Sequence, residues 1–148
     1  VSMRLPPTDE WPWIAAALAT ALVTEIGLRT AGLPRLSQSL GTPLRTIDAG
    51  PVRHPHVRPT LDDRDRRKVR ATRRVMRHWP FGDTCLRQAL VSGALLRRLG
   101  PELIVGVAKI DGEIRAHAWL EIDGAILDPL RAASSYTPLT ALKPSETA

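Results

Sequence analysis

A chain of 148 residues, 43% hydrophobic and 24% charged, is long enough to bury one core and too short for several full domains. A single cysteine excludes an internal disulfide framework and suits a reducing cytosol, so a cytoplasmic location is expected. The net charge of +6 and the pI near 10.6 admit acidic partners, while no metal-ligand cluster of Cys and His appears and no cofactor is called for.

Residues 11–33 form the longest apolar stretch. Ile14, Leu18, Leu22 and Ile26 fall on one helical stripe, with Ala15, Ala16 and Ala17 beside it. Glu25 interrupts the stretch, and its uncharged part falls short of the roughly 20 residues that a membrane span needs. No basic start and cleavage site frame it as a signal peptide. The spacing predicts a helix packed on the domain or on a partner, ahead of one lying on a membrane surface. Residues 34–60 read as a linker or extended arm, because Pro34, Pro43, Pro51, Pro55 and Pro59 break any helix. His54 and His56 lack a third ligand, so they make no metal site. The expected division is an apolar helix and Pro-rich arm over residues 1–59, offering a docking surface, and a core with a C-terminal tail over residues 60–148.

A helix resumes between Thr60 and Trp79, with Thr60 and Asp63 spaced like a capping box. Leu61, Val69, Thr72, Val75 and Met76 make a thin apolar stripe. The rest is charge: Arg64, Arg66, Arg67, Lys68, Arg70, Arg73, Arg74 and Arg77. Such a face is solvated, or docks an acidic peptide or partner. Nucleic-acid binding is not expected, since no aromatic residues interleave the charges. Trp79 and Phe81 then lead into Cys85, placed to wall a cleft or to pack beneath it.

Thr84 or Asp83 stands where an N-cap would, so the Cys85 thiol opens a helix, where the dipole favours a thiolate. Leu86, Leu90, Ala94, Leu95, Leu96 and Leu99 continue a buried helical run up to Gly100-Pro101. Residues 103–109 are β-rich, and Asp111-Gly112 marks a tight turn. In the next strand Ile114, Ala116, Ala118, Leu120 and Ile122 are assigned to the core, which puts His117, Trp119 and Glu121 on the opposite face. Asp123-Gly124 is a second hairpin signal. Pairing outward from that loop sets Trp119 opposite Asp128, with His117 its diagonal neighbour at roughly 7–8 Å; Asp123 is spent in the turn. The hairpin thus delivers a His and an Asp to one side of a sheet, and the preceding helix can deliver Cys85 to it. Nucleophile, base and orienting acid is the arrangement of an activated thiol. Against it stands the commoner use of a lone Cys or strand His as a structural residue, which would make the chain a non-enzymatic basic binding protein. The tail from residue 131 contains Ser, Thr and Pro, with Tyr136 and Leu139 as its anchors.

Cys85-Leu86 with Ala89-Leu90, the run Leu95-Leu96-Arg97-Arg98-Leu99-Gly100, Ile104-Val105-Gly106-Val107, and Ala116-His117-Ala118-Trp119-Leu120-Glu121-Ile122-Asp123-Gly124 together resemble the transglutaminase-like leader peptidases of lasso-peptide gene clusters. The likeness covers residues 61–130 and is most specific at Cys85-Leu86 and at Ala116-His117-Ala118-Trp119. It implies an α+β fold of papain/transglutaminase type, with N-terminal helices followed by a short antiparallel sheet. It implies a Cys-His-Asp site with Cys85 as nucleophile, His117 as base and Asp128 as orienting acid, and Trp79, Phe81 and Trp119 near the cleft. The implied activity is that of a cysteine peptidase removing the leader from a ribosomally made precursor through a thioester. The implied partners are that precursor peptide, a separate leader-recognition protein and, in the same pathway, an ATP-dependent macrolactam cyclase. The sequence departs from the pattern at Arg87, after Cys85-Leu86, and at the tight Gly100-Pro101-Glu102 link. The same triad would equally serve transglutaminase-like acyl transfer or an amidase acting on another substrate.

Overall fold

The computed structural model describes residues 4–45, 57–82, 84–128 and 131–139. Within them lie Trp11–Thr30 (α1), Leu33–Ser39 (α2), Asp63–Arg77 (α3) and Cys85–Leu95 (α4), then the strands Glu102–Ile110 (β1), Glu113–Ile122 (β2), Ala125–Leu127 (β3) and Thr137–Pro138 (β4). The fold is α+β, helices first and then an antiparallel sheet in the order β3-β2-β1-β4.

The face of α1 that packs is its small one. Ala17 and Ala21 are buried against Ala71, Val75 and Met76 of α3 and Val91 of α4. Short side chains at i and i+4 let the helices approach closely, and a leucine row would hold them apart. Of the stripe marked in the sequence, Ile14 packs on this cluster, while Leu18, Leu22 and Ile26 are 45%, 55% and 62% exposed. By length and composition the stretch Thr8–Thr30 could cross a membrane; here its alanine side is packed on protein.

The arm does not begin extended. Pro34 sits in the first turn of α2, where its missing N–H costs nothing, so it starts a helix rather than breaking one. Leu44 then bridges Leu103 at the start of β1, and Arg45 forms a buried ion pair with Glu121 of β2. His54 and His56 lie outside the described residues. Val57 accepts a hydrogen bond from the Ile126 amide at 2.9 Å, so the chain returns to the sheet at β3. Helix α3 begins later than the Thr60 spacing suggested: Asp62 is its N-cap, accepting from the Asp65 amide at 2.8 Å.

Helix α4 ends at Leu95, and a 3₁₀ turn over Arg97–Leu99 carries the chain to Gly100, whose φ of +65° makes the left-handed exit. Its inner face packs on the sheet through Leu90, Leu103, Ala118 and Leu120. Both hairpins turn on Asp-Gly, with positive φ at Asp111, Gly112, Asp123 and Gly124, as type I′ loops require. The register of the second is the one expected: Ile122 pairs with Ala125, Glu121 with Ile126 and Leu120 with Leu127. Asp128 is the next residue along.

Two expectations for the sheet change. Ile114 and Ala116, assigned to the core, are exposed, because the β1–β2 hairpin reaches past the end of α4. The opposite face is covered: Ile104 and Trp119 pack with Ala133, Ile126 and Tyr136, so residues 131–136 roof that side of the sheet. The roof ends in β4, which pairs with Gly106 and Val107 of β1. A two-residue strand containing Pro138 has no readable periodicity, and Pro is tolerated there because β4 lies at a sheet edge.

Candidate active site

Thr84, in extended conformation, caps α4 by accepting from the Arg87 amide at 3.3 Å. Asp83, the other candidate cap, lies outside the described residues. Cys85 is thereby the first residue of α4, half-buried and packed with Leu86 against the cluster of Leu90, Ala118 and Leu120. It lines a narrow cleft of about 10 Å³, room for one water, together with Gln88, Ser92, Ala118, Trp119 and Asp128.

The cleft owes its position to the shortness of β3. The β2–β3 ladder stops at Leu120, so among the described residues the edge of β2 nearer its start has no strand partner on that side. Residues from both faces of the sheet meet around this edge, Ala118 from the α4 side and Asp128 from beyond β3.

His117 and Asp128 are in direct contact. His117 Nε2 lies 2.9 Å from Asp128 Oδ2, and the same oxygen accepts from the Ala132 and Ala133 amides at 2.8 Å each. Three partners converging on one carboxylate oxygen fix its orientation. The imidazole is 4% exposed and lies between the rings of Tyr136, at 5.1 Å, and Trp119, at 5.7 Å. Gly106 makes room for this: a Cβ there would come within 2.6 Å of Trp119 Cη2. Trp119 Nε1 is buried without a hydrogen-bond partner among the described residues, a polar cost that native folds rarely carry away from special sites. His117 spends Nε2 on Asp128, and Nδ1 makes no hydrogen bond among the described residues. Cys85 and His117 are not hydrogen-bonded to each other; the thiol stands on the cleft with Asp128, and His117 stands behind that carboxylate. Asp123 is in the turn, at φ +50°.

Of the three aromatic residues placed near the cleft, Trp119 lines it. Trp79 packs against the α1–α3 cluster, and Phe81, 47% exposed, meets it edge-on at 6.0 Å. Both sit on the α1 side of α4.

What Trp79 meets there is a buried carboxylate on α1. Glu25, only 4% exposed, accepts from Arg87 Nε at 2.8 Å and Nη2 at 3.0 Å, from Arg29 Nη2 at 3.1 Å and from Trp79 Nε1 at 3.3 Å. The hydrogen bonds from Arg87, aided by Trp79 and Arg29, outweigh burial and hold its carboxyl down at about 2; Arg87 in turn is held more firmly protonated. Because the folded value is depressed, the stability it contributes is full above the ordinary carboxylate range and is lost as pH falls towards 2. The available signal was that Glu25 is the lone charge between Trp11 and Leu28.

A family model described as the transglutaminase-like superfamily matches residues 20–141. No curated protein and no solved structure gives a significant match. The matched span runs from the middle of α1 to just past β4 and takes in α4, the sheet and the roof over His117. A match of that extent assigns the fold's lineage: this chain belongs to the transglutaminase-like superfamily.

Proposed function

We propose that this protein is a cysteine peptidase that cuts the leader from a ribosomally made lasso-peptide precursor through a thioester on Cys85. The observation that carries the chemistry is the His117–Asp128 pair beside a cleft on which the thiol opens a helix. Membership of the superfamily supports cysteine peptidase or acyltransferase chemistry in general. The choice of a lasso leader rests on the resemblance of Cys85-Leu86 and Ala116-His117-Ala118-Trp119.

In this mechanism Asp128 holds the Nε2 proton of His117, which leaves Nδ1 to take the proton of Cys85. The thiolate attacks the scissile carbonyl carbon, and the first-turn N–H groups of α4, which have no acceptor within the helix, stabilise the oxyanion. His117 returns the proton to the departing amine, leaving the leader acyl group on Cys85. Water then adds to the thioester as His117 takes its proton, and the thiol leaves with that proton. Thiol and imidazole must draw within hydrogen-bond reach for the first step, a tightening expected when substrate fills the cleft. The test is to incubate the protein with the short precursor encoded beside its gene and the accompanying recognition protein. Mass spectrometry is expected to find leader and core as separate peptides, and precursor that stays intact overturns the proposal. The second reading, acyl transfer, uses the same thioester. A fluorescent primary amine appearing on the acyl product identifies it.

Docking of the leader-bound recognition protein is proposed on the outer face of α1. Leu18, Leu22 and Ile26 form a row of large apolar side chains exposed to solvent, which single surface residues do not explain. The Arg-rich face of α3 is less available, since Arg67 pairs with Asp9, Arg70 and Arg74 pair with Glu10, and Arg64 lies over Trp13. Leu18→Asp with Leu22→Asp is expected to keep the fold and to slow cleavage of full precursor about tenfold or more, with little effect of salt on the parental contact. A short peptide spanning the cleavage site is expected to be cut at the parental rate. Equal loss on both substrates would rule the face out, and binding of anionic vesicles would reassign it to a lipid surface.

A further inference from the structure

Two residues are out of place in the sequence. Glu25 puts a charge into an apolar helix, and Arg87 puts one into the first turn of the helix that Cys85 opens. In the fold each is the other's partner, through a pair of hydrogen bonds at 2.8 and 3.0 Å.

We infer that Glu25 is a positioning residue: one carboxylate on α1 sets the conformation of residues 79–82 and of the first turn of α4, and so the place of the Cys85 thiol. Three tethers end on it. Trp79 donates to it directly at 3.3 Å. Phe81 lies under the guanidinium of Arg29 at 4.4 Å, and Arg29 pairs with Glu25 at 3.1 Å. Thr84, the N-cap, accepts from Arg87 Nη1 at 3.4 Å as well as from the Arg87 amide, and Arg87 is the bidentate partner of Glu25. The approach to the nucleophile is therefore fastened at its start, its middle and its end to a single group.

Stability alone does not call for this arrangement. The α1–α3–α4 interface is already closed by Ala17, Ala21, Ala71 and Val91. A buried carboxylate is costly to desolvate, and well-packed apolar residues commonly replace buried ion pairs without loss. An Arg in the first turn also opposes the helix dipole, which favours anions there. What the pair supplies that apolar packing cannot is direction, since a bidentate Arg–carboxylate pair fixes distance and plane together. Residues that set thiol geometry to a fraction of an ångström affect turnover more than substrate affinity.

The consequence for turnover rests on the peptidase reading; the effect on the backbone does not, and the experiment separates them. Amide hydrogen exchange is measured on the full chain for the parent, Glu25→Gln, Arg87→Gln and, as control, Glu10→Gln. Glu10 is another buried carboxylate with two Arg partners, Arg70 and Arg74, near the opposite end of α1. Glu25→Gln and Arg87→Gln are expected to speed exchange at Gly82, Arg87 and Gln88 about tenfold or more, leaving Leu103 and Leu120 in the sheet at parental rates. Glu10→Gln is expected to leave the Gly82, Arg87 and Gln88 amides unchanged. On the precursor, kcat is expected to fall about tenfold in each of the two variants with KM within about twofold, and the double variant to be no worse than either single one. Arg87→Lys, which keeps the charge but not the fork, is expected to fall between parent and Arg87→Gln. Unchanged exchange at those amides in Glu25→Gln, or exchange that rises equally across the sheet, overturns the inference whatever turnover does. Should Cys85→Ala still cut the precursor, the peptidase reading fails and the exchange result alone decides the role of Glu25.

Discussion

Cys85→Ala is expected to stop leader cleavage while the protein melts close to the parental temperature. The change removes one sulfur from a half-buried position at the head of α4, and neither the Thr84 cap nor the Leu90, Ala118 and Leu120 packing depends on that atom. Its cost in stability is therefore small, about 1 kcal/mol or less. The effect on kcat is of another order, a loss on the order of 10⁵–10⁶, because the remaining triad members have no nucleophile to activate. With one cysteine in the chain no second thiol can stand in. The measurements are precursor turnover by mass spectrometry and a thermal melt on the same sample. Parental turnover in this variant would end the enzyme reading. Failed folding would show instead that the thiol is a core residue.

Asp128 is expected to answer differently to two substitutions. Asp128→Ala takes the acceptor away from His117 and from the Ala132 and Ala133 amides at once. A buried donor left unpaired costs about 1–3 kcal/mol, so the melt should drop by many degrees and the roof over the sheet should loosen. Asp128→Asn keeps an oxygen where Oδ2 stands, so the two amides and the imidazole retain an acceptor and the melt stays near the parent. What Asn removes is the charge that stabilises the imidazolium as Cys85 gives up its proton, which is expected to cost about 10²–10⁴ in kcat. Asp123→Asn, at φ +50° in its turn, is expected to change neither, because Asn tolerates that conformation. An Asn variant as unstable as the Ala variant would mean that Asp128 serves the fold alone.

Much of the site's scaffold was readable from short-range chemistry. The Asp123-Gly124 turn sets the β2–β3 register, because a type I′ loop leaves no choice of which residues face each other, and His117 and Asp128 follow from it. Thr84 before Cys85 marks a helix start for the same local reason. The unread parts depend on contacts between distant segments. Periodicity in α1 marks an apolar row but does not say which row packs, and the alanine seam won because α3 offers Ala71 in return. Tyr136 was legible as an anchor in residues 131–139, while Leu139 is 46% exposed; the face they roof was not legible, since that signal lies in Trp119 and Ile104, which needed covering. Glu25 and Arg87, 62 positions apart, look like two unrelated irregularities until the chain between them is folded up.

The roof has a bearing on how the protein wears out. Tyr136 and the Ala132 and Ala133 amides hold His117 and Asp128, yet their segment is fastened to the sheet by a strand with two paired residues. Pieces with so few bonds open at free energies well below that of global unfolding. If the proposed chemistry holds, heat is expected to free the imidazole before the helices melt, so that cleavage is lost ahead of denaturation and returns on cooling as that short segment re-docks.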